Sequence, residues 1–254
     1  GKTLEEYFRS AAGESLADMA EVCRQHPDWP DAHCRLGLAY LKAMQFDSAC
    51  AHLALACRAK PDYLVARLAL AAAHDEMGRS EQALEQLRLA NQTHPGSPAV
   101  LFAIGYCLEK LARSDQAAEY YRDVIAARPD HVPARQRLAA IALLRDDLPQ
   151  AITQYEHLRS LMPEDTSVRG TLAHLYYRAG RYDEAIAEFQ TTLAMEPGNW
   201  ALADDEVEAL VQAGQVREAI ERLYELLQVQ GPFADLHVRL ADLLAQTGQD
   251  DQAE

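Results

Sequence analysis

Five cysteines and nine histidines are the side chains of this 254-residue sequence best suited to hold a metal or to act as nucleophile and base. Their spacing supplies neither chemistry. There is no CxxC pair and no HExxH run, so no ligand set closes within one element. The histidines are scattered, and His174 stands alone, which suits a polar contact better than a metal ligand. Cys23 and Cys57 fall late in two predicted helices, where thiols serve packing. Acid pairs occur at Asp204-Asp205 and Asp250-Asp251, but sequence neighbours diverge on a helix and do not converge on a substrate. No GxxxxGK(S/T) phosphate loop occurs, and no GxGxxG follows a strand. The sequence predicts no catalytic residue, no metal and no cofactor.

Composition narrows the partners. Apolar residues make up 49% and charged residues 25%, the balance of a folded chain. Lys and Arg number 24 against 39 Asp and Glu, for a net charge of -15. Nucleic acid and anionic membrane both want cationic surface, so neither is expected as a partner. An odd cysteine count argues against a disulfide framework and for free thiols in a reducing, cytoplasmic compartment. No stretch approaches the ~18 consecutive apolar residues of a membrane span.

The elements that would position these side chains recur. Pro27, Pro61, Pro95, Pro129, Pro163 and Pro197 follow one another at a single constant interval. Ala49, Ala83, Ala117, Ala151, Ala185, Ala219 and Ala253 keep the same phase, as do Leu53, Leu87, Tyr121, Tyr155, Phe189 and Leu223. Cys23 and Cys57 share a phase as well. Leu36, Leu70, Ile104, Leu138 and Leu172 form a further series, which fails at Glu206 and resumes at Leu240. Each unit reads as two helices. Leu172, Ala173, Tyr176 and Tyr177 lie at helical spacing, Gly180 breaks the pattern, and Ala185, Ile186, Phe189 and Leu193 resume it until Pro197. Gly78, Gly180, Gly214 and Gly248 mark the turn inside the unit. Asp62, Ser97, Asp130, Asp165 and Asn199 follow the prolines, where the next helix needs a cap. Gly37, Ala71, Gly105, Ala139, Ala173 and Ala241 are expected where two helix axes approach closely, met by the alanine series. Trp29 and Trp200, at the junctions, are expected to pack between hairpins. Glu206 is expected to lie in a hairpin that is slipped, with Leu202 and Val207 taking over the core, or rotated so that Glu206 is exposed; a Glu paired with an arginine and a buried functional carboxylate are the lesser readings.

The phase Leu-Gly-x-x-Tyr, Ala-x-x-x-Phe/Tyr/Leu, Pro resembles the tetratricopeptide repeat, with Leu36-Gly37-Leu38-Ala39-Tyr40 and Gly180-Arg181-Tyr182-Asp183-Glu184-Ala185 as its nearest matches. The resemblance implies an all-α fold, an α-α superhelix of helix-turn-helix repeats wound right-handed. It covers nearly the whole chain as a single array: six full repeats at 30–63, 64–97, 98–131, 132–165, 166–199 and 200–233, a degenerate hairpin at 3–29 and a truncated repeat at 234–254. The family's initial Trp is replaced by His33, Arg67, Leu101, Arg135 and Arg169.

The resemblance also implies a concave groove lined by the first helix of each repeat. The phase places Leu38, Asp75, Phe102, Tyr106, Glu109, Arg137, His174, Tyr177, Arg178, Asp204, Asp205 and Glu208 on that face as partner-binding candidates. Residues 200–254 carry 12 Asp and Glu against 3 Arg. A protein or peptide partner with a basic segment lying towards these repeats is therefore expected. The carboxylate clamp that some family members use for chaperone tails is not expected, because Cys34, Leu38, Ala69, Ala99 and Ala103 occupy its places.

Two functions follow from the resemblance. One is a non-catalytic protein-protein interaction scaffold that takes a partner segment in the groove. The other is the recognition region of a larger enzyme, such as a glycosyltransferase, whose catalytic domain lies outside this fragment. The chain ends just past Ala253, so Leu236, Leu240, Leu243 and Leu244 are expected to be partly uncovered. That would favour end-to-end self-association or fraying from about residue 234.

Overall fold

A computed structural model describes residues 15–230 and 234–246. Among the described residues there are fourteen α-helices and no strand. Helix α1 is Leu16–Gln25. First helices of hairpins are α2 (Pro30–Lys42), α4 (Leu64–Glu76), α6 (Pro98–Lys110), α8 (Val132–Leu144), α10 (Thr166–Arg178), α12 (Trp200–Gln212) and α14 (Ala234–Gln246). Second helices are α3 (Phe46–Ala59), α5 (Ser80–Thr93), α7 (Ser114–Ala127), α9 (Leu148–Leu161), α11 (Tyr182–Met195) and α13 (Val216–Gln230). The chain forms two compact units, divided between Arg137 and Leu138. In the first, α1 to α7 pack in succession, and α2 also touches α4. In the second, α9 to α14 pack in succession.

The turn inside each hairpin is built one way. The second residue beyond the first helix adopts left-handed backbone, and the next N–H donates to a carbonyl five residues back. Arg79 N to His74 O is 2.9 Å, Arg113 N to Leu108 O 2.8 Å and Arg181 N to Tyr176 O 2.9 Å. Gly78, Gly180 and Gly214 take this place with φ of 70°, 73° and 76°. Gly248 lies outside the described residues. Met44, Ala112 and Asp146 hold the same place with φ of 57°, 58° and 56°, a conformation that is strained for residues with a Cβ.

The junction between hairpins is fastened by side chains at the place where the family carries Trp. Each second helix ends two residues before a proline, and the carbonyls of Pro27, Pro61, Pro129 and Pro163 accept from the following first helix. Arg67 donates Nε and Nη2 to Pro61 O at 2.9 and 2.8 Å. Arg135 does the same to Pro129 O at 3.0 and 2.8 Å. Arg169 Nε donates to Pro163 O at 2.8 Å, and His33 Nε2 meets Pro27 O at 3.0 Å. A forked guanidinium thus satisfies a carbonyl that no helix can use. Capping is uneven. Asp165 and Asn199 accept from Val168 N and Leu202 N, whereas Ser97 is an N-cap without a side-chain bond, and Asp62 and Asp130 fall one residue before the cap position.

Close packing explains Gly37 and Gly105 in the small-residue series. A Cβ added to Gly37 would sit 2.5 Å from Leu53 Cγ, and one on Gly105 would sit 2.7 Å from Tyr121 Cε1. The glycines therefore make room for the Leu or aromatic of their own hairpin. Tyr121 and Phe189 are fully buried there.

Three further expectations fail. Glu206 is buried, at 3% exposure, and α12 begins one full repeat after α10 without slipping. Arg222 supplies the charge that allows this, while Leu202 and Val207 join the core beside it. Trp29 and Trp200 are exposed at 54% and 39%. Trp29 stacks on His26 at 3.8 Å and is not buried between hairpins. Leu240, Leu243 and Leu244 are buried in the core cluster that includes Leu223 and Leu226, and Leu236 packs against it. The bare leucine face expected to drive self-association is covered by the second unit's own core.

Candidate partner-binding surfaces

In the first unit, three first helices bring five predicted residues together. Asp75 comes from α4, Phe102, Tyr106 and Glu109 from α6, and Arg137 from α8. Lys110, at the end of α6, reaches back to Asp75 with Nζ 2.7 Å from Oδ2. The Tyr106 ring lies between two cations, Lys110 Nζ at 5.1 Å and the Arg137 guanidinium at 5.2 Å from its centroid. Arg137 Nε also faces Glu109 Oε2 at 3.9 Å, and Tyr121 donates its hydroxyl to Glu109. Burial and the Glu109 carboxylate together push the Tyr121 phenol well above its usual range, so it remains a donor. Phe102 packs 5.5 Å from the Tyr121 ring and 5.1 Å from His131. Asp75 Oδ1 is buried without a hydrogen-bond partner. Beneath it, burial first and Asp75 second push the Cys107 thiol up to about 11.

Leu38 does not belong to this surface. It is 3% exposed and packs with Cys34, Ala49 and Leu53. Leu38 fills the core between its own hairpin and the next, in one cluster with Ala66, Ala69 and Leu70.

In the second unit, α10, α12 and α14 form a polar set. His174 Nε2 lies 2.7 Å from Asp205 Oδ2, and its Nδ1 lies 2.7 Å from Gly170 O. Tyr177 donates to Glu208 Oε1 at 3.5 Å. Burial first, and Glu208 next, raise the Tyr177 phenol. Arg239 forks across Asp204, at 2.6 Å, and Glu208. Arg178 stands apart, donating to Asp146 Oδ1 in the turn after α8 at 2.6 Å.

Lys110 and Arg239 escaped the sequence reading. The signal was present: Lys110 holds the place of Arg178 two repeats earlier, and Arg239 the place of Asp205 one repeat later. A separate cavity of about 470 Å³ opens against α11 to α13, with Glu206, Glu218, Glu221, Arg222 and Glu225 in its wall. Among the described residues, Cys23, His33 and His52 bring three metal-ligand atoms within 4.8 Å of one another. No helix among the described residues is long and apolar enough to cross a membrane.

Comparison with known proteins bears on the fold. Solved structures with a similar fold include YrrB, described as a TPR protein with an unusual peptide-binding site (11% identity, TM-score 0.60, 76% of this chain and 99% of that one). The Naa15/Naa10 complex bound to HypK-THB gives 14% identity and a TM-score of 0.62, over 98% of this chain and 39% of that one. PilF of Pseudomonas aeruginosa gives 20% and 0.54, over 84% and 97%. Likeness at these identities shows the fold, an all-α superhelix of helical hairpins. No curated protein matches the sequence significantly. Tetratricopeptide repeat patterns match residues 110–175, 142–205 and 210–254, and a second such pattern matches 68–131. With these matches lying on hairpins that recur at one constant interval, the chain belongs to the tetratricopeptide repeat family.

Proposed function

We propose that the chain is a non-catalytic protein-protein interaction scaffold whose first-helix faces hold a peptide segment of a partner. The observation that carries this reading is Tyr106, a half-buried aromatic flanked by Lys110 and Arg137 and set among Asp75 and Glu109. An amphipathic ring with both signs of charge beside it suits an extended peptide that offers an apolar side chain, main-chain groups and its own charges. YrrB, a protein of similar fold, is described as having a peptide-binding site. In the second unit, Asp204, Asp205 and Glu208 face one arginine and one histidine, which leaves an acidic excess for a basic stretch of the partner.

Selection of peptides from a random display library on the purified chain tests the reading. Peptides enriched on the wild type should lose about tenfold or more in affinity on a Phe102→Ala, Tyr106→Ala double variant. Their binding should weaken as salt rises if the acidic set attracts a basic stretch. Equal binding by wild type and double variant would overturn the assignment to this surface, and salt-insensitive binding would overturn the electrostatic part.

A further inference from the structure

Cys23, His33 and His52 sit on three successive helices, α1, α2 and α3. The fold gathers them. Their ligand atoms all lie within 4.8 Å of one another. Cys23 is 5% exposed and His33 4% exposed, while His52 is half-buried. His33 Nδ1 and His52 Nδ1 are 3.0 Å apart. The other nitrogen of His33 is occupied, since Nε2 faces the Pro27 carbonyl at 3.0 Å. A carbonyl accepts only, so Nε2 carries the proton and Nδ1 offers its lone pair to the gap. A ring nitrogen held by a backbone carbonyl while the other faces the ligand gap is how proteins orient a metal-ligating histidine. The His52 ring is kept in place by stacking on His33 at 5.2 Å and on Tyr40 at 5.6 Å.

From this geometry we propose that Cys23, His33 and His52 form a zinc-type site that clamps α1 to the first full hairpin. Two imidazoles and a thiolate are a borderline-soft set that selects zinc over calcium or magnesium. Tetrahedral zinc, with bonds of about 2.0–2.1 Å to nitrogen and 2.3 Å to sulfur, holds ligand atoms roughly 3.3–3.6 Å apart. The two imidazoles are near that spacing already, and small side-chain rotations bring in the thiol. On binding, the Cys23 thiol releases one proton and its sulfur bonds the metal. His52 gives up its hydrogen bond to His33, moves its proton to Nε2 and turns Nδ1 onto the ion. Water fills the fourth position. The bland alternative is a neutral His33–His52 hydrogen-bonded pair beside a buried thiol, with no affinity for metal.

Equilibrium dialysis of the tag-free chain against Zn²⁺, with metal counted by atomic emission, distinguishes the two. One zinc per chain is expected, with proton release and a thermal midpoint that falls when a chelator removes the metal. The Co²⁺-loaded chain should show a thiolate-to-cobalt charge-transfer band. Cys23→Ser should abolish the band, His52→Gln should weaken binding at least tenfold, and Cys50→Ser should change neither. Helicity is checked by circular dichroism. If a variant does not fold, the wild-type cobalt spectrum decides. Failure to retain stoichiometric zinc, absence of the thiolate band, or undiminished binding by folded Cys23→Ser and His52→Gln would overturn the site.

Discussion

Arg222 Nε lies 2.8 Å from Glu206 Oε2, and this pair reverses the one a repeat earlier. There the acid is on the second helix, where Glu188 receives Arg169 Nη1 at 2.8 Å from the first helix and Arg159 from the preceding hairpin. In the next repeat Arg222 holds the place of Glu188, and the acid has moved to the first helix. Both carboxylates are buried, at 6% and 3% exposure, so each depends on its guanidinium.

Arg222→Met should therefore leave Glu206 buried and unpaired, and cost about 3 kcal/mol in urea unfolding. Glu206→Leu restores the residue type of the other repeats and should be neutral or stabilising by about 1–2 kcal/mol. If Arg222→Met proves harmless, Glu206 is not held as described.

Gly105→Ala places a methyl against the buried Tyr121 ring, 2.7 Å from Cε1. The ring has no free side to retreat to, so the expected loss is about 1–3 kcal/mol. Near-ultraviolet circular dichroism should register the disturbed tyrosine. Gly198→Ala, where the added methyl meets nothing within 4 Å, serves as the surface control.

Ala112 adopts φ 58° in the turn after α6. Ala112→Gly should raise stability by about 0.5–1 kcal/mol, because relief of left-handed strain outweighs the freedom gained by the unfolded chain. Gly180→Ala, at φ 73°, should lower it by a similar amount. Both are read as shifts in the urea midpoint at unchanged slope.

His52 and His74 are held below the usual histidine value, mainly by burial, with His33 adding to the effect at His52 and Arg79 at His74. Each binds its proton more readily when unfolded. Their contribution to stability is complete above the unfolded value of about 6.5 and is lost as pH falls below it. The thermal midpoint of the chelator-treated chain should thus be flat above about pH 7 and decline towards pH 5.5. A His52→Gln, His74→Gln double variant should show a shallower decline, and an unchanged slope would remove these two groups as its cause.

The repeat was legible because burial repeats: Ala49, Leu53 and Leu36 each recur at places whose equivalents are buried again and again. The candidate surfaces could be traced in the sequence to the extent that they follow helical phase. Asp75, Phe102, Tyr106, Glu109 and Arg137 meet, as do His174, Tyr177, Asp204, Asp205 and Glu208. Leu38 shows where phase stops informing, since its face is decided by what the neighbouring hairpin leaves uncovered. Glu206 was misread because its counter-charge lies on the other helix of the hairpin, at a place where the preceding repeat carries an acid. The Cys23, His33 and His52 group was invisible for a related reason. Its members come one from each of three helices, so no local spacing announces them.

The guanidinium fork on the proline carbonyl gives the architecture a property that packing alone would not. Donor and acceptor lie within one short stretch of chain, so each seam that has the fork, at Arg67 and Arg135, carries its own buckle. Lengthening or shortening the chain by whole modules would leave no such seam unfastened, which makes duplication and loss of modules a low-risk path of change for this protein.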